Sequence, residues 1–128
     1  MKKIINTIIF LATLISSTVS AYWNFAYEDG DYNWYIDFGD IKQDGDNIYV
    51  WVLNSNEYKS AVHYFHIDCD FPRFKLLTRQ RYSQAMGKGE LVATDSKEEW
   101  HYKKKGDRTV MWIYGGIVTQ ACRQRVYK

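Results

Sequence analysis

Residues 63 to 69 read HYFHIDC, and the alternation in that stretch decides the fold. On an extended chain successive side chains point to opposite faces. His63, Phe65, Ile67 and Cys69 therefore share one face, and Tyr64, His66 and Asp68 the other. A face built from Phe, Ile and Cys needs cover, and a late segment of the chain supplies it. Val110, Ile113, Tyr114, Ile117, Val118 and Ala121 recur at helical spacing, with Asp107 placed as an N-cap. Against a helix stand the β-branched and aromatic run TVMWIY and the pair Gly115-Gly116, each glycine weakening a helix by up to about 1 kcal/mol. The expectation is a helix within residues 109 to 125, broken or begun at the glycines.

Working outward from residue 63, turn residues cut the chain into further strands. EDGD (28–31), QDGDN (43–47) and NSNEYKS (54–60) separate Trp23–Tyr27, Tyr32–Phe38, Asn47–Leu53 and Ala61–Cys69. IYVWVL (48–53) is a continuous apolar run, which predicts a strand covered on both faces. Pro72 bars continuation of the fourth strand. In Phe74–Ser83 the pattern puts Phe74, Leu76, Thr78 and Tyr82 on one face and Lys75, Arg79 and Arg81 on the other, with Leu77 out of phase. Glu90–Thr94 makes a sixth strand after the loop at Met86-Gly87-Lys88-Gly89. Short turns at this spacing argue for an antiparallel sheet. The fold class is α+β, mainly β: one antiparallel sheet of about six strands with a C-terminal helix packed on one face.

The ends and totals bound the rest. Lys2 and Lys3, the apolar run Ile4 to Ile15, and Val19 and Ala21 three and one residues before a cut have the pattern of a signal peptide over residues 1–21. That leaves 22–128 as a single exported domain, with no transmembrane segment in the mature chain. Export to an oxidising space lets Cys69 and Cys122 pair, and two cysteines allow one intramolecular bridge. Closing that loop stabilises the chain by about 4 kcal/mol in the chain-entropy account, a sizeable share of a small domain's net stability.

Losing Lys2 and Lys3 leaves 15 basic and 15 acidic residues, so the precursor's formal charge of +2 gives no case for nucleic acid. The charge is unevenly spread: residues 22–72 carry 10 acidic and 2 basic groups, residues 73–128 carry 5 acidic and 13 basic. Either the two halves attract across the sheet, or a basic face is used for binding. Lys75, Arg79 and Arg81 on one strand and the run Lys103-Lys104-Lys105 are the candidate binding surface, weighed against a solvated strand face and a solubilising loop.

No catalytic set stands out. There is no GxSxG elbow, the thiols are committed to a bridge, and Gly87-Lys88-Gly89 lacks the phosphate-binding pattern. His63 and His66 point to opposite faces and so do not chelate one ion. An edge strand, the first or the sixth, offers a route to a homodimer.

Trp23, Tyr35-Ile36-Asp37, Ile41, Gly45, Val50-Trp51, the strand ending in Asp68-Cys69, Arg81-Tyr82-Ser83-x-x-Met86-Gly87-x-Gly89, Trp100 and Cys122 come in an order that resembles the surface-adhesin protein E family. These are small exported proteins of Gram-negative bacteria. The resemblance implies a six-stranded antiparallel sheet with a C-terminal helix held by a disulfide, matched here by Cys69 and Cys122. It further implies an adhesin for host extracellular-matrix or serum proteins, forming dimers. Haem uptake also comes only from the resemblance, with His66 as a weak ligand. The chain departs from the family in HYKKKGDRT (101–109), where a Pro-Gly-Ser or Pro-Gly-Thr turn is usual, and in lacking a lipid-attachment cysteine. Periplasm and cell surface therefore both stay open. The second reading is a periplasmic inhibitor or envelope protein that binds an enzyme partner such as a lysozyme.

Overall fold

A computed structural model describes residues 22–71, 73–102 and 113–126. The segment read as a signal peptide, Asp107 and the Lys103-Lys104-Lys105 run lie outside the described residues. The strands are β1 (Trp23–Asp29), β2 (Tyr32–Asp37), β3 (Lys42–Asp44), β4 (Asn47–Ser55), β5 (Ser60–Asp68), β6 (Arg73–Tyr82) and β7 (Leu91–Tyr102). They form one seven-stranded sheet in the order β1-β2-β4-β5-β6-β7, with β3 also on β4. All the pairings are antiparallel.

Turn chemistry sets the two-residue hairpins. Asp29 pairs with Tyr32 across Gly30-Asp31, and Asp44 pairs with Asn47 across Gly45-Asp46. Gly30 and Gly45 take φ of 61° and 60° there, a left-handed conformation that side chains resist. β3 is the strand that the sequence pattern does not show, because Lys42, Gln43 and Asp44 are all exposed. β7 runs well past Thr94 to Tyr102. Its first nine residues are exposed on both faces at the sheet edge, so no hydrophobic period marks their length.

One face of the sheet carries the core. Ile36, Ile48, Val50, Val52 and Ile67 are fully buried there and meet Ile113, Ile117, Val118 and Ala121 from the C-terminal segment. Each such side chain contributes about 2 kcal/mol by leaving water. The C-terminal segment is a π-helical turn (Tyr114–Val118) leading into α1 (Thr119–Cys122), so the glycine pair falls inside the widened turn. A Cβ on Gly116 would lie 2.1 Å from Cδ1 of Tyr27. The glycine therefore lets the turn settle onto the Tyr27 ring. Cys69 and Cys122 are bridged, with Cα atoms 5.8 Å apart. Past the bridge, Arg125 pairs with Asp46 at 2.8 Å, and the Val126 backbone exchanges two hydrogen bonds with the Gln43 amide. The tail is thereby fastened to the β3–β4 hairpin.

Two β-bulges turn over the residues beyond them. In β6, Leu76 pairs with Phe65 but Thr78 pairs with Tyr64, leaving Leu77 as an extra residue. Everything after Leu77 changes face. Arg79 therefore lies opposite His63 and Arg81 opposite Ala61 on the core side, whereas Lys75 lies opposite His66 on the outer side. The expectation that Lys75, Arg79 and Arg81 share one face is corrected: the bulge separates the lysine from the two arginines. In β1 the register shifts between Phe25 and Tyr27, which brings Tyr27 beside Trp34 on the core side.

Candidate functional site

The outer face of β4, β5, β6 and β7 carries a continuous row of rings. Trp51 lies against Tyr64 with centroids 4.4 Å apart, Tyr49 stacks on His66 at 4.5 Å, and Trp100 meets His66 edge-on at 4.9 Å. The pairing that makes this row is local: Trp51 faces Tyr64 and Tyr49 faces His66 across the β4–β5 ladder. Beyond His66, the Arg73 guanidinium sits 3.9 Å and the Lys75 ammonium 4.6 Å from the Trp100 ring centroid. Such contacts contribute about 0.5–1 kcal/mol each at exposed sites. The row ends at an exposed corner where Phe71 meets Tyr102 edge-on at 5.8 Å and Arg73 donates to the Tyr102 hydroxyl at 3.2 Å.

IYVWVL is thus covered differently from the expectation. Ile48, Val50 and Val52 are buried beneath the C-terminal segment, but Tyr49 and Trp51 on the other side are half-buried. Among the described residues neither a helix nor a second sheet is laid over them. The rings cover one another.

Electrostatics on this face favour a neutral His66. Burial first, then the Lys75 charge, hold its pKa below the ordinary imidazole value, and its Nε2 is 2.8 Å from Asn47 Oδ1. Burial opposes ionisation of Asp68, but the amides of Phe71 and Asp70 and the Arg73 guanidinium outweigh it and keep the carboxylate low. Tyr64 is raised by burial and by Asp40. Lys75 stands beside the rings as a cation with no carboxylate within ion-pair distance among the described residues.

The core-side face carries a second feature. Beyond the C-terminal segment, two adjoining hollows of about 410 and 380 Å³ share Asn54, His63 and Arg79. His63 forms part of another ring row, stacked on Trp34 at 5.4 Å and on Phe65 at 5.6 Å. Its Nδ1 is 3.3 Å from the Val52 carbonyl oxygen. Burial pushes its pKa down to about 4, with the Val52 carbonyl opposing and Arg79 adding to the fall. Arg79 is itself held by Asp95 through two hydrogen bonds, while Arg81 approaches the same carboxylate at 4.0 Å.

Of the residues singled out in the sequence, the disulfide pair is joined and Lys75 enters the outer row. Arg79 and Arg81 border the core-side hollows. Rings the charge pattern did not reveal, Tyr49, Trp51, Tyr64 and Trp100, make up the row on the outer face with His66. Parity of β4 against β5 was the available signal for the first three. His63 and His66 do point to opposite faces, and no group of three metal-ligating side chains occurs among the described residues. As a haem ligand His66 fits poorly, since its Nε2 is engaged by Asn47 and its ring is stacked on Tyr49 and flanked by Trp100. No helix of the described residues is long and apolar enough to cross a membrane.

A profile of the family described as surface-adhesin protein E matches residues 22–115. No curated protein sequence matches the chain. Among solved structures, the crystal structure of protein E from non-typeable Haemophilus influenzae is similar. It shares 15% identity, covers 77% of this chain and 72% of that one, and gives a TM-score of 0.48.

Proposed function

The chain belongs to the surface-adhesin protein E family, and from that premise we propose that it is an exported, non-enzymatic binding protein that grips a protein partner with its outer sheet face. The partner class is host extracellular-matrix or serum protein. The observation that carries this reading is Trp100 under the cations of Arg73 and Lys75, at the end of a row made by the Tyr49–His66 stack and the tilted Trp51–Tyr64 pair. Trp, Tyr and Arg are the side chains that dominate binding energy at protein interfaces. Here they lie on a rigid ladder, so little ordering cost is incurred on docking. The end strands of the sheet among the described residues, β1 and β7, are where a second copy would pair, and sedimentation at micromolar concentration reads that directly.

The test uses the oxidised domain 22–128 against immobilised matrix and serum proteins. Trp100→Ala and Lys75→Ala are each expected to weaken capture, the tryptophan variant about tenfold or more, with the thermal midpoint of Lys75→Ala unchanged. Equal capture by wild type and both variants would remove the outer face from the proposal. Protease digestion of intact cells reads the location: an adhesin is cut, and a protein confined to the periplasm survives.

A further inference from the structure

The hollows on the core-side face have a chemical polarity of their own. At one end Phe65, Phe74, Leu76 and Ile113 form a mainly apolar lining beside Trp34, to which Asp29 and His101 also contribute. At the other, Lys59, Arg79 and Arg81 converge beside Tyr32. Arg79 and Arg81 lie two residues apart on the same face of β6, opposite His63 and Ala61, which spaces their backbones by about 7 Å. Asp95 satisfies Arg79 and only grazes Arg81. Three cations stand against two carboxylates, Asp95 beside Arg79 and Asp29 in the adjoining hollow, which leaves a surplus of one positive charge. Neutral His63 stands between the two ends, its ring stacked on Trp34 and Phe65, and continues the apolar wall.

We propose that this groove is a binding site for a small amphipathic carboxylate, an acyl or aryl acid. Its apolar body lies along Phe65, Phe74 and Leu76, and its head is held by Arg81 and Lys59. Size and charge both select this class. Each hollow is within the volume range of small-molecule sites, and because the two share Asn54, His63 and Arg79, an apolar body in one can place its head at the other. The carboxylate matches the guanidinium fork that Arg81 presents. A neutral ligand would leave the surplus cation unpaired, and a large polyanion would find no use for the apolar end. The site goes beyond the adhesive role and sits on the opposite face, so the two are tested separately.

The probes are decanoate, 1-decanol and acetate, titrated calorimetrically into the oxidised domain at concentrations where decanoate is monomeric. Saturable binding of one decanoate is expected, at least tenfold tighter than decanol, with acetate inert. Arg81→Gln changes an arginine whose side chain is about half exposed and only 4.0 Å from its nearest acid. It is expected to weaken decanoate about tenfold, to leave decanol unaffected, and to keep the thermal midpoint. Lys59→Gln, in the loop before β5, checks the head site independently. In amide NMR spectra the shifts should centre on residues 61–65 and 76–81. Equal affinity for decanoate and decanol, an unchanged affinity in both charge variants, or shifts centred on Trp51 and Trp100 would each overturn the assignment. None of these results bears on capture of matrix proteins by the outer face.

Discussion

Acidification should unlock this fold through His63. The ring is 7% exposed, packed between Trp34 and Phe65, and burial holds its pKa at about 4 against an ordinary 6.5. The unfolded chain takes up a proton near pH 6.5, whereas the native chain refuses it until about pH 4. Stability from this group is therefore complete above the unfolded value. It falls as pH drops through that window and levels off once the native state is protonated too. The interval from 6.5 to about 4, at about 1.4 kcal/mol per pH unit, amounts to about 3 kcal/mol. His66 acts with the same sign, its pKa also being lowered. Asp68 and Asp95 do not confuse the result. Their depressed carboxylates contribute above the ordinary carboxylate pKa of 3.8, and that contribution is lost mainly as pH falls through and below it, so only its onset falls within the window. The assay is urea unfolding detected by tryptophan fluorescence from about pH 7.5 to about pH 4, on wild type and on His63→Phe, which keeps a ring in the stack. Wild type should lose about 3 kcal/mol and the variant only the smaller share belonging to His66. Parallel profiles for the two proteins would refute the buried neutral imidazole.

Packing sets three further outcomes. Gly116→Ala forces a Cβ into the Tyr27 ring and should cost about 1–3 kcal/mol in the manner of overpacking, read as a lower urea midpoint. Reducing the Cys69–Cys122 bridge, which closes a separation of 53 residues, should cost about 4 kcal/mol, read from unfolding with and without a thiol reductant. Ser60→Ala removes a hydroxyl that donates to the Gln84 carbonyl at 2.7 Å and accepts from the Gly87 amide at 2.8 Å. It should cost about 1–3 kcal/mol and speed hydrogen exchange at Gly87, with Ile48 and Ile67 still protected.

The parts of the fold legible in the sequence are those in which one residue type had to do one thing. Gly30 and Gly45 mark the turns because those positions need positive φ. HYFHIDC reveals its faces because β5 is a central strand with a regular ladder to β4. The helical spacing of Ile113, Ile117 and Ala121 survives because all three are buried against the sheet. β3 and the outer part of β7 carry no such mark. Their residues are exposed, and they become strands through the row of backbone hydrogen bonds offered by β4 and β6, which a pattern of side chains does not encode.

The basic strand shows the deeper reason why the candidate site was only half legible. A period of two assigns faces correctly until a single residue is inserted, and then inverts every assignment after it. Leu77 is that residue, and as an apolar side chain out of phase it was visible in the sequence. Its effect was not visible, because a bulge and a lapse in alternation look alike until the partner strand is known. The consequence is functional rather than decorative. Without the bulge, Arg79 and Arg81 would join Lys75 beside Trp100 and make one strongly basic outer face. With it, Lys75 stays with Arg73 on the aromatic row while the two arginines turn toward Asp95 and the hollows beside His63. One inserted residue thus divides the positive charge of β6 between two surfaces. A face selecting aromatic and acidic features of a large partner and a groove selecting a small anion can then coexist on a single sheet without competing for the same cations.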